Sequence, residues 1–592
     1  MSDVLAYLLE QYVILFVFVF ACWGTGRFAL QSLGIDSLQI SISYRSNLLN
    51  PLATAFGVAI AACGLQWLAV IGHLQKGPVL ILLMVGLILT TRFLMTKRDG
   101  LRRSPGLRSW SRNEQAAFVV MLLIAFPTFF APLAPPLDWD ELMYHLPHAR
   151  QWANSGSLTV DLWLRYPWFP YNYDLLYSAA LIFHNDVFTH ILHAMAGWIV
   201  AWLLFEFGSA YIDRLSGLLT AACWLYLSRG YYKSAYIDMG LTLWLTAGFI
   251  AFWLGWQEER KNARIWWIVS AFCLGAATGT KYQVIGVLPF FVIAMVWKAP
   301  RLREWLTIAL VFALPCAYWY IRNLIFAGDP VAPIGGKIFG FTDWNLYDYQ
   351  GQFANLHRHL GWPPVILWAV PFTFIAASAR RNATLLAVTI FVGFQFAVWV
   401  VTSRYTRYLL PAYPLFALLA VQGWRVIAQQ AWIHFSKWNK SILFGQYIFA
   451  FLFVALCTAS VYKAYINIRK IAPTPSSREA YLQAHIPGYG VIEYLKTHQV
   501  GKLYQFGMEG VIYYLPNPVW GEEFGPWRYV DYANLGAKKL HDRLLGEGFT
   551  SLLIHTVRFS SVVSKSDFNK YFQHVITDGP VTLYRIYPTI RP

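Results

Sequence analysis

Charged residues are scarce in this chain of 592 amino acids, at 13% of the total, whereas apolar and aromatic residues make up 57%. A soluble globular protein of this size carries nearer to about a quarter charged residues. The mean hydropathy of +0.43 points the same way. Most of the chain therefore does not face water, and the composition predicts an integral membrane protein.

Cysteine is also scarce, and its positions exclude two kinds of site. All six cysteines lie inside apolar stretches and none forms a CxxC pair. This excludes a disulfide framework and a paired-cysteine metal site, so we expect buried thiols. The polar C-terminal tail contains neither a G-x-G-x-x-G motif nor a Walker A lysine motif, and no cofactor is assigned to it.

Acidic residues are outnumbered, with 30 Asp and Glu against 47 Lys and Arg, a net charge of +17. Residues 471–592 contribute only +2 of this, from 12 basic and 10 acidic residues, so +15 lies among the hydrophobic segments of residues 1–470. Such a distribution indicates basic loops beside a membrane. We therefore predict membrane lipids as partners and no nucleic acid.

About fourteen segments are long and apolar enough to cross roughly 30 Å of hydrocarbon as helices. Their centres lie near residues 13, 62, 86, 124, 198, 220, 247, 272, 291, 315, 370, 392, 418 and 453. Residues 1–10 lack the basic start of a cleavable signal peptide. The first helix is therefore expected to stay in the protein.

Short loops rich in Lys and Arg predict the orientation, because such loops stay in the cytoplasm. The richest is at residues 97–112, and others follow the segments centred near 247, 291, 370 and 418, the last with Lys437 and Lys440. The N-terminus, the long loop 135–186, the loops 229–236, 326–361 and 402–407 and the tail after about residue 466 then share the extracytoplasmic face. The functional face should be there.

Three regions follow from these patterns. We predict N-terminal membrane helices at 1–114, a membrane core at 115–466 that includes the loop 135–186, and an extracytoplasmic domain at 467–592. In the last region, helical patterns at 488–497, 534–545 and 565–572 alternate with strand patterns at 502–506, 551–555 and 581–586. The predicted fold class is a polytopic all-α membrane protein of about 14 transmembrane helices with a small C-terminal α/β domain.

The acidic run at residues 137–147 is the most informative motif. Asp138, Asp140 and Glu141 fall within four positions, directly after the fourth hydrophobic segment. Such a cluster can remove a proton or hold a divalent cation, although acidic runs are also common as solvated helix caps. His145 and His148 follow, but Pro147 between them argues against a regular histidine pair for metal, and interfacial histidines are the simpler interpretation.

Aromatic and basic residues gather on the same predicted face. The rings in the loop 135–186 could stack on sugars, or could form the interfacial belt that Trp and Tyr commonly make. Basic residues on this face oppose the orienting rule, so they need an anionic ligand such as a phosphate, or else extend to lipid headgroups. The basic residues are Arg229, Lys233, Lys281, Arg322, Arg404 and Arg407.

Four motifs stand out along the chain: Asp140-Glu141 with Tyr144, Gly279-Thr280-Lys281, Arg322-Asn323 before Gly328-Asp329-Pro330, and Arg407-Tyr408-Leu409-Leu410-Pro411. Together they resemble the GT-C class of polyprenyl-phosphate-sugar-dependent glycosyltransferases. The likeness covers about residues 115–425 and is greatest to bacterial relatives of protein mannosyltransferases and lipid A aminoarabinose transferases. Two features depart from the family: about three helices precede its usual first one, and Pro147 interrupts a helix that commonly follows the acidic pair.

The resemblance implies a sugar donor linked to a polyprenyl phosphate, used on the periplasmic face of a bacterial inner membrane. It implies that Asp140 is the general base of an inverting transfer to an acceptor hydroxyl, with Asp138 as the alternative base, and that Glu141 orients the acceptor or helps to hold a cation. A divalent cation, Mg²⁺ or Mn²⁺, on these three carboxylates is left open. The residues expected to bind the donor phosphate are Lys281, Arg322, Arg407 and Arg404, and those expected to bind acceptor or sugar are Tyr144, His145, Trp139 and Trp168.

Two other functions fit parts of the same pattern. A transporter or flippase for lipid-linked saccharides would also carry cations for phosphates, but it usually has an inverted repeat and charges near the bilayer midplane. A lipid-linked glycan ligase or polymerase would also work outside, but usually relies on a large loop with Arg and His. The sequence does not identify the sugar, or whether the acceptor is a glycan, a lipid or a protein.

Overall fold

The computed structural model describes residues 2–35, 45–96, 110–298, 300–435, 441–516 and 518–588. Within these ranges, nine helices are long and apolar enough to cross a membrane, or ten if one bent pair counts as a span. The bent pair is Leu302–Ala313 and Ala317–Ala327, at 72°. The nine are Ser2–Ser32, Asn47–Val70, Lys76–Thr96, Arg112–Leu133, Val187–Tyr211, Asp238–Gln257, Ala383–Thr402, Thr406–His434 and Ala450–Ile468.

The remaining four predicted spans are helical but do not meet the requirements for a span. Arg214–Ser228 and Leu288–Lys298 are short, and Arg260–Thr278 begins with a basic turn. The segment near residue 370 is divided into the turns Val365–Ala369, Val370–Thr373 and Ala377–Arg381. Pro371, in the first turn of Val370–Thr373, accounts for the first of these breaks, because proline cannot donate the backbone hydrogen bond that continues a helix. A hydropathy window does not detect such breaks.

Three buried helices form the centre of the membrane region: Arg45–Val70, Val187–Tyr211 and Asp238–Gln257. The N-terminal helix Ser2–Ser32 packs closely against Arg45–Val70, and a Cβ at Gly57 would overlap the Cys22 carbonyl. Small residues allow such close approach between membrane helices. The long helices Ser2–Ser32 and Lys76–Thr96 are largely exposed and present their apolar sides outward.

The tail forms the predicted α/β domain around a five-stranded sheet. Its strands are β1 (Leu503–Phe506), β2 (Val519–Trp520), β3 (Ser551–His555), β4 (Phe572–Asp578) and β5 (Val581–Ile586), in the order β2-β1-β3-β5-β4. β1 is parallel to β2 and β3, whereas β5 is antiparallel to β3 and β4. The main helices are Pro475–His485, Tyr489–Thr497 and Ala537–Gly546.

Three tail elements differ from the prediction. The sequence did not predict β2 or β4, and the helix predicted at 565–572 is reduced to Phe568–Tyr571. Phe572 instead begins β4 and pairs with Ile586. Aromatic residues at the end of that segment fit a strand as well as a helix, so periodicity alone did not separate the two.

The predicted extracytoplasmic segments meet on one face. Arg478 of the tail pairs with Asp186 at the end of the long loop, at 2.6 Å, and Tyr514 donates to the Pro136 carbonyl at 2.8 Å. The N-terminal helix reaches the same region, because Gln11 hydrogen-bonds His184. These contacts agree with the predicted grouping of loops. The basic residues at 97–109, Lys437 and Lys440, on which part of that prediction rests, lie outside the described residues.

Candidate active site

The acidic run forms a π-helical turn, Glu141–His145, that leads directly into the helix Leu146–Ser155. Pro147 lies in the first turn of that helix. Proline is well accommodated there, because the first backbone N–H groups of a helix have no partner within it. Pro147 therefore begins the helix, and the expectation that it interrupts one is wrong.

Glu141 is fully buried and fixes the loop from inside. Its Oε1 accepts hydrogen bonds from the backbone N–H groups of Leu137 and Asp138, at 2.7 and 2.6 Å. Its Oε2 accepts from the Ala235 backbone and from His190 Nε2, at 2.6 and 2.8 Å. Burial alone would raise the pKa of Glu141, but His190 and the backbone donors hold it below its usual value. With both oxygens engaged, Glu141 joins the acidic run to the loop before helix Asp238–Gln257.

Four charged side chains form what we call the charge cluster: Asp140, Asp238, Lys281 and Arg407. Arg407 Nη2 donates to Asp140 Oδ2 at 2.6 Å, and its Nε lies 3.6 Å from Asp238 Oδ2. Lys281 Nζ donates to Asp238 Oδ1 at 2.8 Å. The cluster contains two acids and two bases, and its members come from four separate segments of the chain.

The charged groups of the cluster shift one another's pKa values. Burial alone would raise the pKa of Asp140, but the Arg407 guanidinium lowers it below its ordinary value, so the carboxylate is ionised at neutral pH. Burial lowers the pKa of Lys281, and the Asp238 carboxylate partly offsets this effect. Asp238 is almost inaccessible, at 2% side-chain exposure, whereas Asp140, Lys281 and Arg407 are 15–20% exposed. The accessible side of the cluster therefore presents one carboxylate and two cations.

Asp138 lies at the rim. Its Oδ1 accepts from Lys233 Nζ at 3.1 Å, in a pair whose lysine is 55% exposed. An exposed pair of this kind contributes little to stability, about 0–1 kcal/mol. Asp138 and Asp140 thus differ in environment although they are two residues apart, and only Asp140 belongs to the charge cluster.

Two other predicted residues lie beside the cluster. His145 Nδ1 donates to buried Asp174 at 2.7 Å, and the Tyr144 ring packs on His145 at 4.2 Å. Tyr144 also packs edge-on against Tyr166, at 5.1 Å. His148 is fully enclosed, and burial lowers its pKa to about 3, so it is neutral. These side chains form the aromatic wall next to Asp140.

Four predicted site residues lie outside the charge cluster. Arg322 is buried against Trp168 and Trp319, with ring distances of 5.6 and 5.0 Å, and forms no ion pair with any described residue. Arg404 donates to the Gly361 carbonyl at 3.1 Å and covers an exposed tryptophan. Trp168 donates to Asp343. Trp139 packs beside Gly510 of the tail domain.

Sequence reasoning missed the partners that complete the site, chiefly Asp238, His190 and Asp174. A signal was available for the first, since Asp238 precedes a long apolar run, where an acid is expensive unless it has a partner. The contacts of His190 and Asp174 gave no local signal, because they join residues 49 and 29 positions apart.

The three carboxylates for which a divalent cation was left open have separate partners. Asp138, Asp140 and Glu141 each have their own partner, namely Lys233, Arg407 and His190. Within the ranges that the structure describes, no group of three or more Asp, Glu, His or Cys side chains is arranged to hold a metal ion.

Parts of the chain are similar in sequence to known proteins. A family model described as SF2091/S2213 matches residues 477–585, the tail domain. The chain is 32% identical over 136 residues to the uncharacterized protein SF2092/S2214 of Shigella flexneri, covering 21% of this chain and 74% of that protein. It is 28% identical over 207 residues to the undecaprenyl phosphate-alpha-4-amino-4-deoxy-L-arabinose arabinosyl transferase of Enterobacter sp. (strain 638), covering 31% and 36% of the two chains.

One solved structure shares the overall fold. The crystal structure of ArnT from Cupriavidus metallidurans bound to undecaprenyl phosphate aligns with a TM-score of 0.51 at 13% identity. The alignment covers 82% of this chain and all of that one. The likeness confirms the predicted fold class, a multi-pass helical membrane protein of the GT-C type with a small C-terminal domain.

Proposed function

We propose that this chain, which belongs to the family of the uncharacterized protein SF2092/S2214 and has a GT-C fold, is a glycosyltransferase that uses a polyprenyl-phosphate-linked sugar. The observation that carries the proposal is the charge cluster, where two cations and one accessible carboxylate meet on the loop face. The names of the arabinosyl transferase relative and of the ArnT structure supply the donor class, a sugar on undecaprenyl phosphate.

Lys281 and Arg407 are proposed to bind the donor phosphate. Asp238 already orients both side chains, and its own burial keeps it in place. Arg407 Nε is buried and makes no hydrogen bond in the described part of the chain. A phosphate oxygen would satisfy that donor, and a charge-assisted bond of this kind is among the stronger ones in proteins. Preorganised cations also stabilise charge that develops on a leaving group.

Asp140 is the proposed general base. It takes the proton of the acceptor hydroxyl while that oxygen attacks the anomeric carbon of the donor sugar. The bond from this carbon to the phosphate oxygen breaks, the electron pair stays on the phosphate, and the configuration inverts. In the resting site Arg407 lowers the pKa of Asp140. When phosphate competes for that guanidinium, Asp140 becomes a stronger base, so donor binding prepares it for proton transfer.

The geometry divides the other predicted residues by role. Glu141 is proposed as a positioning residue that holds the acidic loop. Arg322 and Arg404 are not assigned to the phosphate, because their contacts lie elsewhere. The charge-cluster cations are proposed to replace a divalent metal. We further propose that this face is periplasmic in a bacterial inner membrane, which agrees with the basic loops on the other side.

The first experiment measures donor turnover by the purified protein in proteoliposomes. Undecaprenyl phosphate bearing a single aminoarabinose or hexose is supplied, and release of undecaprenyl phosphate is followed. Lys281→Met is expected to lower this rate about 10²–10³-fold, as for removal of one transition-state donor. Lys233→Met, at the exposed rim pair, serves as the matched control and should remain near wild type.

The same preparation tests the transporter alternative. Movement of the donor between leaflets is measured in parallel with cleavage of its sugar–phosphate bond. A protein that moves donor without releasing undecaprenyl phosphate, or a Lys281→Met variant with normal release, contradicts the proposed function.

A further inference from the structure

A turn of the tail domain lies directly against the acidic run that contains the proposed base. It follows β1 and spans Glu509–Tyr514, and we call it the tail turn. Arg558, just after β3, pairs with Glu509 at 2.7 Å and donates to the Gly507 carbonyl at 2.9 Å. These contacts fix the tail turn within its own domain, so it can support the chain that it touches.

Two contacts join the tail turn to residues that precede Asp140. Tyr514 is buried, and its hydroxyl donates to the Pro136 carbonyl at 2.8 Å. The Trp139 ring rests on Gly510 so closely that a Cβ at this glycine would lie 2.6 Å from Trp139 Cζ3. The tail turn therefore contacts both the start of the acidic run and the residue next to Asp140.

A third contact lies on the other side of the π-helical turn Glu141–His145. Arg150, in the helix that continues from this turn, donates to the carbonyls of Tyr513 and Leu515, the second at 3.4 Å. Its guanidinium also lies over the Tyr513 ring, at 5.0 Å. The tail domain thus contacts the chain both before and after the π-helical turn.

Support on both sides matters because a π-helical turn is an uncommon conformation, found mostly at functional sites. It holds one residue more than an α-helical turn, so relaxation to an α-helix would rotate the residues before it by about 100° around the helix axis. Asp140 immediately precedes the turn. Glu141 fixes this part of the chain to the membrane core, and the tail turn fixes it to the tail domain.

We propose that the tail turn positions Asp140 for proton transfer and that Tyr514 is its main positioning residue. The Tyr514 hydroxyl acts through Pro136 and the acidic run, without contact to the substrates. This inference rests on the proposed function, in which Asp140 is the base, and it gives the tail domain a part in the reaction. Docking of the tail on the membrane core is also supplied at another place, by the pair of Arg528 with Asp348 at 3.1 Å.

The substitution Tyr514→Phe removes the hydroxyl and keeps the ring, so it tests the hydrogen bond to Pro136 with little change in packing. Full-length protein in proteoliposomes is assayed for release of undecaprenyl phosphate. We expect kcat to fall roughly 10–10²-fold, because a small displacement of a reacting group is costly to the rate. The donor KM should not rise, because Lys281 and Arg407 of the membrane core are the proposed phosphate ligands.

The matched control is Arg528→Gln. It removes a contact between the tail domain and the helix Leu346–Arg358, and its partner Asp348 is buried. If loosened docking of the tail were enough to slow the reaction, this variant would be slowed at least as much as Tyr514→Phe. We expect its kcat to stay within about twofold of wild type.

A double-mutant cycle separates positioning from loss of folded protein. If Tyr514 acts through Asp140, Tyr514→Phe should lower kcat by less than about twofold in an Asp140→Asn background, because the group that it positions is already gone. A smaller folded fraction would instead lower kcat by the same factor in both backgrounds.

Hydrogen exchange measures the positioning without the reaction. The backbone N–H groups of Leu137 and Asp138 are hydrogen-bonded to Glu141. In Tyr514→Phe, exchange of the peptide that contains them should be about fivefold faster, the change expected for loss of one neutral hydrogen bond. In Arg528→Gln it should be unchanged.

Failure of the proposed function is recognisable by itself, since near-normal turnover in Asp140→Asn contradicts the base whatever the exchange rates are. The positioning by the tail turn is overturned if exchange is unchanged in Tyr514→Phe. It is also overturned if the two losses of kcat multiply, or if Arg528→Gln lowers kcat as much as Tyr514→Phe does.

Discussion

Replacement of Asp140 by Asn changes the proposed base while it preserves the local contacts. The amide is nearly isosteric with the carboxylate and retains an oxygen that accepts the Arg407 Nη2 hydrogen bond, which is 2.6 Å long in the native protein. The acidic loop is held separately by Glu141, through four hydrogen bonds that the substitution does not touch. Any loss of activity therefore reports on proton transfer and charge.

The expected effects on kcat and on donor KM have opposite signs. Loss of a general base lowers kcat by about 10²–10⁴-fold, or roughly 3–5 kcal/mol in activation free energy. Donor binding should become tighter, because phosphate no longer competes with a carboxylate for Arg407. The hydrogen bond from Arg407 to a neutral amide is weaker than the one to a carboxylate by about 1 kcal/mol, which corresponds to a fall in KM of about fivefold.

The assay compares Asp140→Asn with Asp138→Asn at several donor concentrations. Asp138→Asn removes only the exposed pair with Lys233 and should change kcat by no more than about fivefold. If Asp138→Asn abolishes turnover and Asp140→Asn does not, then Asp138 is the base. Near-normal turnover in both variants refutes the carboxylate mechanism, and a higher donor KM in Asp140→Asn refutes the exchange of Arg407 between carboxylate and phosphate.

Two further predictions concern the same structure. Asp238→Asn should lower the unfolding temperature by several degrees, because a buried acid between two cations costs about 3–5 kcal/mol to remove; an unchanged temperature would argue against its buried pairing. Chelation by EDTA should leave donor turnover unchanged, and restoration by added Mg²⁺ or Mn²⁺ would contradict this.

Local patterns predicted the classes of structure well. Apolar length identified the membrane helices, and alternation of strand and helix patterns identified the tail domain, because both depend on neighbouring residues. The count of fourteen spans exceeded the nine or ten in the described residues. Hydropathy alone did not register that two of the extra segments form short helices, that one begins with a basic turn, and that one is divided into short turns. The acidic run and the basic helix ends also indicated which residue types would meet.

What the sequence determined by itself is the membrane setting, the shared face of the loops and the presence of acids and bases on it. Only the tertiary structure decided which charges pair. Asp140 meets Arg407 across 267 residues, and Asp238 meets Lys281 across 43. Such pairings depend on how the buried helices pack, because a buried charged side chain is costly unless the packing places a partner of opposite charge beside it. For the same reason, nothing in its local sequence indicated that Glu141 would be enclosed while Asp138 is only half-buried.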